Sequence, residues 1–487
     1  MAKPQCVTLK KSVSGDRTSP PRGAMDGVRL DAARAAISTL ARVITVIGGG
    51  LAGVEAAWAA ANRGREVRLY EMRPERTTGA HQTGDLAELV CSNSFKSKLA
   101  TSPAGQLKAE MAALGSLILP TGEANSVPAG EALGVDRNLF SAAVTLAIEA
   151  HPLIELIREH AGPEVVEAAL PLGPVIIATG PLTSPELATW MAELTGKQLY
   201  FYDAVSPTVD AASLDRSVVF AQSRYDKGEG DDYLNCPFEK DSYFAFVEAL
   251  VAAERAAPHG FAADDETVEK IKYFAGCTPI EAIAEGGPRS LAFGNFKPVG
   301  LTDPRTGRRP YAALQLRPEN REKTLYSLVA CQNRLKWGEQ KRVFQMVPGL
   351  ENAEFVRFGV IHRNTYIDSP KALTANLELR AKPGVFIAGQ LTGVEGYVES
   401  AAMGIYAGIN AARREAHLEA ITPPRASAYG SLVAHLQDQT PRDFAPMNIN
   451  WGLLPDPVEP VRDKGVKRAQ KLAAAQEAFA GWLVAGG

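Results

Sequence analysis

The chain has 487 residues, 46% of them hydrophobic and 22% charged, with a formal net charge of −3. This describes an ordinary globular protein of two or three domains with a substantial core. It excludes a global basic field, so any nucleic-acid contact must use a local patch, and no apolar run approaches the ~18 residues that a bilayer span requires.

Five cysteines, Cys6, Cys91, Cys236, Cys277 and Cys331, are widely spaced and form no C-x-x-C pair. Neither a zinc ribbon nor a thioredoxin-like pair is indicated, no metal is expected, and free thiols in a reducing cytoplasm fit best. Residues 1–42 carry Lys10, Lys11 and Arg17 but no apolar stretch like a secretory signal. Asp16, Asp26 and Asp31 argue against a transit peptide, and the segment reads as a disordered extension.

Val43 to Ile47 predicts a buried strand running into Gly48, Gly50 and Gly53 at G-x-G-x-x-G spacing. Leu51, Val54, Ala57, Trp58 and Ala61 follow at helical spacing, Gly64 ends the helix, and Val67 to Tyr70 predicts a second strand closed by Glu71. The first glycine allows the tight turn, the second lets backbone approach a pyrophosphate, and the third lets helix pack on strand. The helix start, Gly48, Gly49, Gly50, Leu51, Ala52 and Gly53, favours a diphosphate. Glu71 stands where an acid holds a ribose hydroxyl pair.

Alternating strand and helix patterns over 43–209 predict a doubly wound parallel sheet of Rossmann type, an α/β class. A strand is expected at Val175 to Gly180 and a helix at Pro185 to Leu194. Residues 210–350 are richer in aromatics and in Gly/Pro segments, and read as an inserted α+β module. The α/β pattern returns over 351–420, with a strand at Pro383 to Gln390 and a small-residue helix within 391–412; 421–487 reads as a C-terminal helical segment. Three segments, 48–71, 175–180 and 384–404, thus look like parts of one nucleotide site. Contacts so far apart favour FAD over NAD.

Cys91 follows a polar loop with His81 and Gln82, and Lys96 and Lys98 lie close behind. Nearby ammonium groups would raise its thiolate fraction; a buried structural cysteine is the alternative. Cys236 lies among Asp231, Asp232, Glu239 and Asp241 in a segment that reads as a polar loop, which would leave the thiol accessible. Cys277 suits the start of a helix, and Cys331, in a helical pattern with Leu325, Leu328 and Val329, suits core packing. His362, Arg363 and Asn364 offer three polar groups at a strand end. Residues 295–345 hold eleven Lys/Arg against four Asp/Glu, with Tyr311, Tyr326 and Trp337 interleaved. Phosphate contacts need such charge and unstacked bases need such faces, although a solvated helix face has the same composition. The tail segment VRDKGVKRAQK adds five basic residues to one acid.

The strings VIGGGLAGVEAA, EMRP, LAELVCSNSFKS, YLNCPFEKDSYF, GCTPIE, GPRSLAFGNFKPVGL, HRNTYIDSP, AGQLTGVEGYVESAAMG and MNINWGLLP together resemble the folate- and FAD-dependent tRNA uracil-5-methyltransferases, the TrmFO family, from about residue 43 to about 480. The MnmG-like flavoenzymes of wobble uridine share the glycine turn and the GVEGY-like segment but not SNSFKS or YLNCPFEKD. The resemblance implies a cytoplasmic enzyme that methylates C5 of the T-loop uridine (uridine-54) in tRNA. The carbon comes from 5,10-methylenetetrahydrofolate, reduced FAD is the reductant, and NADH or NADPH is its source; no obligate protein partner is evident. It also implies Cys236 as the nucleophile at uracil C6 and Cys91 as its partner near the flavin. Thiolate addition at C6 would make C5 nucleophilic, a base would remove the C5 proton, and a hydride would complete the methyl group. By position, His362, Arg363 and Asn364, and more weakly Arg289, are folate candidates. Gly389, Gln390 and Gly393 would line the flavin, with Gln390 where many flavoproteins place an Asp against the ribityl chain. A wobble-uridine flavoenzyme and a non-catalytic flavin-containing RNA-binding factor are the alternatives.

Overall fold

Val43–Ile47 has apolar side chains on both faces, and all five residues are buried, as the central strand of a covered parallel sheet must be. In the computed structural model this strand, β1, leads through the glycine turn into α1 (Leu51–Ala61) and then β2 (Glu66–Tyr70). The structure describes residues 42–78, 80–196, 198–228, 230–256, 278–359, 361–440 and 444–484, with backbone alone for 198–204 and 361–363. The expected extension up to residue 41 and Cys277 lie outside them.

A small antiparallel sheet of β3 (Ser94–Ser97), β4 (Ser126–Val127) and β5 (Ala132–Val135) follows, then α2 (Arg137–Glu149). β6 (Ile154–Ile157) and β7 (Val175–Ile177) rejoin the main sheet. The strand β8 (Gln198–Ala204) leads out to a second sheet built from β9 (Thr208–Asp210), β10 (Phe220–Ala221), β11 (Leu234–Phe238), β12 (Ala312–Pro318), β13 (Leu325–Leu328) and β14 (Phe355–Arg357). β15 (Ile361–Ile367) returns antiparallel to β8, and β16 (Val385–Ile387) and α3 (Tyr397–Glu415) complete the first sheet. That sheet is parallel throughout, in the order β16-β7-β1-β2-β6; the second runs β10-β11-β12-β13-β9-β14 with antiparallel pairings. We propose the strands from β9 to β14 as the frame of the inserted module.

The expected strands and helices around the glycine turn form as read. The helix over Pro185–Thr195 and the tail helix, Lys464–Val484, form too. Two local readings are corrected. Leu325–Leu328 is a strand, not a helix, because pairing with β12 and β9 satisfies its backbone; Cys331 follows in a turn and is buried. The Cys236 segment is an interior strand, not a loop.

α3 packs on α1 through its small residues. A Cβ on Gly404 would lie 2.2 Å from the Ala52 carbonyl oxygen, and one on Gly408 would lie 2.4 Å from that of Ala56. Backbone-to-backbone contact is what brings the late segment 389–404 against the early glycine turn.

One buried carboxyl gives the fold a pH dependence. Glu55 on α1 accepts hydrogen bonds from the Ser116 hydroxyl and from the amides of Leu117 (3.0 Å) and Ile118 (3.1 Å). Burial outweighs these bonds and raises its pKa from 4.5 to about 7. A raised folded value means that the stabilisation is full below the unfolded pKa and is lost as pH rises through about 7. The loss across that window is on the order of 3 kcal/mol. Calorimetry from pH 5 to 8.5 is expected to show Tm falling, and Glu55→Gln should flatten the slope. An equal slope in the variant would contradict this account. Glu110, raised to about 7 by burial while capping the helix Ala428–Gln437, adds a second contribution of the same sign.

Candidate active site

The turn between β1 and α1 can be built only from glycine at two positions. Gly48 has φ +105°, and a Cβ there would lie 2.6 Å from the Ala178 carbonyl oxygen. A Cβ on Gly53 would lie 1.7 Å from the carbonyl oxygen of Gly48. Gly50 is different: its Cβ position has nothing within 4 Å, and α1 starts there without a side-chain cap. The open side faces a cleft with a volume of about 160 Å³. Gly48, Gly49, Gly50, Leu51, Ala52, Glu71, Gly389 and Gln390 all line it, so the segments expected to share a nucleotide do share one wall. Gly53 and Gly393 work from behind that wall. Gly53 admits the helix, and Gly393, at φ +88°, lets Phe444 pack where a Cβ would lie 2.4 Å from its ring.

Glu71 is buried, and its carboxylate accepts from the Gly49 amide at 2.9 Å and from Arg73 Nε at 2.8 Å. Burial alone would raise its pKa, but the bonds and charge of Arg73 outweigh that and hold it below the usual carboxylate value. The acid is thus kept ionised at the cleft, with two donors on each carboxylate oxygen. Sequence reading missed Arg73, although it stands two residues on in the EMRP string. Gln390 donates to Glu395 Oε2 at 2.8 Å while lining the cleft. An open diphosphate cradle, a fixed carboxylate and a long cleft fit a dinucleotide such as FAD.

A second cavity shares Val90, Pro181, Leu182, Gln390 and Tyr397 with the cleft and adds Cys91, Ser92, Lys96, Asn364 and Asn448. Cys91 is half-buried on this wall, and its amide donates to the Tyr397 hydroxyl at 2.7 Å. Of the two lysines expected to charge its surroundings, Lys96 lines the same cavity. Lys96 is bound to buried Glu399 at 2.6 Å, and Lys98 is exposed. Arg137, at the start of α2, and Arg357, on β14, also lie close enough to interact with Cys91 and Tyr397. Neither could be found from local sequence, because each lies far along the chain from Cys91.

Asn364 is buried and lines the second cavity, whereas the side chains of His362 and Arg363 lie outside the described residues. Arg289 is exposed in the turn before the short helix Ser290–Phe293 and lines neither cavity. Cys236 also lines neither. It sits opposite Leu314 in the middle of β11, fully buried among the apolar side chains of the second sheet. Burial pushes its pKa well up, and the charge of Glu351 acts the same way. The expected accessible thiol is therefore replaced by a protonated core thiol. Of the other acids near it in sequence, Asp232 accepts from the Gly130 amide at 2.7 Å.

Among the described residues there is no cluster of three or more His, Cys, Asp or Glu that could hold a metal, and no helix is long and apolar enough to cross a membrane.

Fold and cleft together define a Rossmann-type dinucleotide-binding protein with an added antiparallel sheet. Residues 43–419 match the family model described as glucose inhibited division protein A. Two solved crystal forms of Aquifex aeolicus GidA superpose with TM-score 0.60 at 16% identity, covering 90% of this chain and 73% or 76% of theirs. Curated relatives are much closer in sequence. The methylenetetrahydrofolate–tRNA-(uracil-5-)-methyltransferase TrmFO of Moorella thermoacetica is 54% identical over 88% of this chain and 96% of its own length; that of Geobacter sulfurreducens is 52% identical over 90% and 97%. The chain belongs to the glucose inhibited division protein A family and, within it, to the TrmFO group.

Proposed function

We propose that this protein methylates C5 of the T-loop uridine (uridine-54) of tRNA in the cytoplasm. 5,10-Methylenetetrahydrofolate is the carbon donor, and FAD, reduced by NADH or NADPH, is the reductant. The observation that carries the reading is the place of Cys91, on the wall between a dinucleotide cleft and a second cavity, in a chain whose relatives bear that activity in their names. Bound FAD would supply the hydride. The glycine turn and α1 would hold its diphosphate, and Glu71 would accept from ribose hydroxyls. The shared wall, Gln390 and Tyr397, would set uracil and folate against the reactive ring and exclude water. Cys91, on the wall of the second cavity, would handle the methylene carbon and take the C5 proton. Cys236 can attack uracil C6 only once the covered face of β11 is exposed, so its proposed role requires rearrangement on binding tRNA.

The basic stretch gives the RNA contact a physical basis. Lys297, Arg308, Arg309, Lys323 and Lys341 are exposed, while Arg305 and Arg342 are paired with Asp303 and Glu339. The tail is different: Lys467 and Lys471 pair with Asp456, and Lys471 also ties down the Trp451 and Leu454 carbonyls. Incubation with tRNA, 5,10-methylenetetrahydrofolate and NAD(P)H, followed by mass analysis of T-loop nucleosides, should show one added methyl group on uridine. A modification in the anticodon loop would instead support wobble-uridine chemistry, and binding without turnover a non-catalytic role.

A further inference from the structure

The backbone of Cys91 is held from two sides. Its amide is bound by Tyr397 of α3, and its carbonyl accepts from Arg137 Nη2 at 3.1 Å. The same guanidinium donates through Nη1 to the Leu89 carbonyl, so it ties together the carbonyls of the two residues that flank Val90. Its Nε and Nη2 donate to the two carboxylate oxygens of Glu319, and both side chains are largely buried. Glu319 directly follows β12, the strand paired with the strand of Cys236. The neighbouring contacts run between the same partners. Asp136 accepts from the Arg321 amide at 3.1 Å, and Asn93 donates to the carbonyls of Val135 (2.9 Å) and Pro318 (3.1 Å).

We propose that Arg137 and Glu319 form a positioning pair that fixes the Cys91 backbone against the second sheet, so that the geometry of the reacting thiol depends on an ion pair between the start of α2 and the end of β12. The deciding contrast is with a pair that serves stability alone. A buried ion pair replaced by apolar residues of similar volume commonly keeps or gains stability, whereas removal of one partner strands a buried charge. A carbonyl clamp has no apolar substitute. The charged and titratable groups near Cys91 include Arg137, Arg357 and Tyr397, with Glu319 bound to Arg137, and Lys96 and Glu395 on the wall of the same cavity.

The test uses the full-length protein loaded with FAD. Arg137→Met is expected to lower Tm, because Glu319 stays buried without its partner. The double variant Arg137→Met/Glu319→Met should regain most of the Tm and the flavin content. Its kcat for tRNA methylation should remain at least about ten-fold down with KM for tRNA little changed, since about 1 Å of misplacement costs up to about 100-fold. Iodoacetamide alkylation of Cys91, followed by peptide mass analysis at fixed pH, should also change several-fold in the double variant. The kcat arm rests on the proposed methylation; the alkylation arm does not, so a wild type that fails to methylate tRNA sinks that reading and leaves this one testable. Recovery of kcat and of the alkylation rate together with Tm overturns the positioning role. Should the double variant fail to fold, Arg137→Lys keeps the charge but cannot span both carbonyls and Glu319. It should lose kcat and shift Cys91 alkylation at near-normal Tm, and unchanged values for both would overturn the proposal.

Discussion

Cys91→Ser should lower tRNA methylation by roughly 1000-fold or more, within the range expected for loss of a nucleophile or proton acceptor. Tm should shift by no more than a degree or two, and the protein should stay yellow. The thiol is half-buried on the wall joining both cavities, and its backbone contacts come from its own amide and carbonyl, which serine retains. A serine hydroxyl stays protonated near neutral pH, whereas a thiol is intrinsically far more acidic and more nucleophilic. Nucleoside mass analysis at matched flavin content checks this, and methylation within about three-fold of wild type would remove Cys91 from the chemistry. Cys236 should behave oppositely toward a probe. Without tRNA it should react with iodoacetamide far more slowly than Cys91, because it is covered and held protonated in the second sheet. Acceleration on adding tRNA would support its proposed attack on uracil. Methylation left intact in Cys236→Ala would remove that role.

Gly53→Ala should abolish stable flavin retention and cost on the order of 3 kcal/mol or more of stability, at the upper end of overpacking penalties. The added methyl would sit 1.7 Å from the Gly48 carbonyl oxygen, with no flexible side chain able to give way. Relief demands that α1 lift from β1. That shift would also move Ala52 and Ala56, on which Gly404 and Gly408 of α3 rest. The variant should purify colourless with a lowered Tm. Gly50→Ala makes a control: its Cβ position is empty, so the fold should hold and only ligand affinity should suffer. A yellow Gly53→Ala protein of wild-type Tm would refute the packing argument.

Local pattern reached far in this chain because local physics governs its most informative parts. The glycine turn, α1, β2 and Glu71 are set by steric limits and apolar spacing within thirty residues. The strands at 175–177 and 385–387 carry uninterrupted apolar runs because both faces of a parallel sheet are covered. The specific strings around Cys91 and Cys236 resembled the family that the relatives then established.

Pattern failed where partners are distant. Leu325–Leu328 has helical spacing, but β12 and β9 capture its backbone. The polar residues flanking Cys236 suggested a loop, yet pairing of β11 with β10 and β12 buries the thiol. Lys96 lines the cavity with Cys91 but is also bound to Glu399, 303 residues further on, which local sequence does not reveal. Arg137 and Arg357 reach Cys91 from α2 and β14, 46 and 266 residues away along the chain.

The sequence by itself thus determined the dinucleotide turn, the α/β class and the family, each of which rests on short-range spacing or on conspicuous strings. The tertiary structure alone decided that Arg137 and Arg357 come near Cys91, that Cys236 is covered, and that one ion pair ties the Cys91 loop to the second sheet. Burial and Coulomb interactions depend on distance in space, and here those distances are closed by residues dozens to hundreds of positions apart.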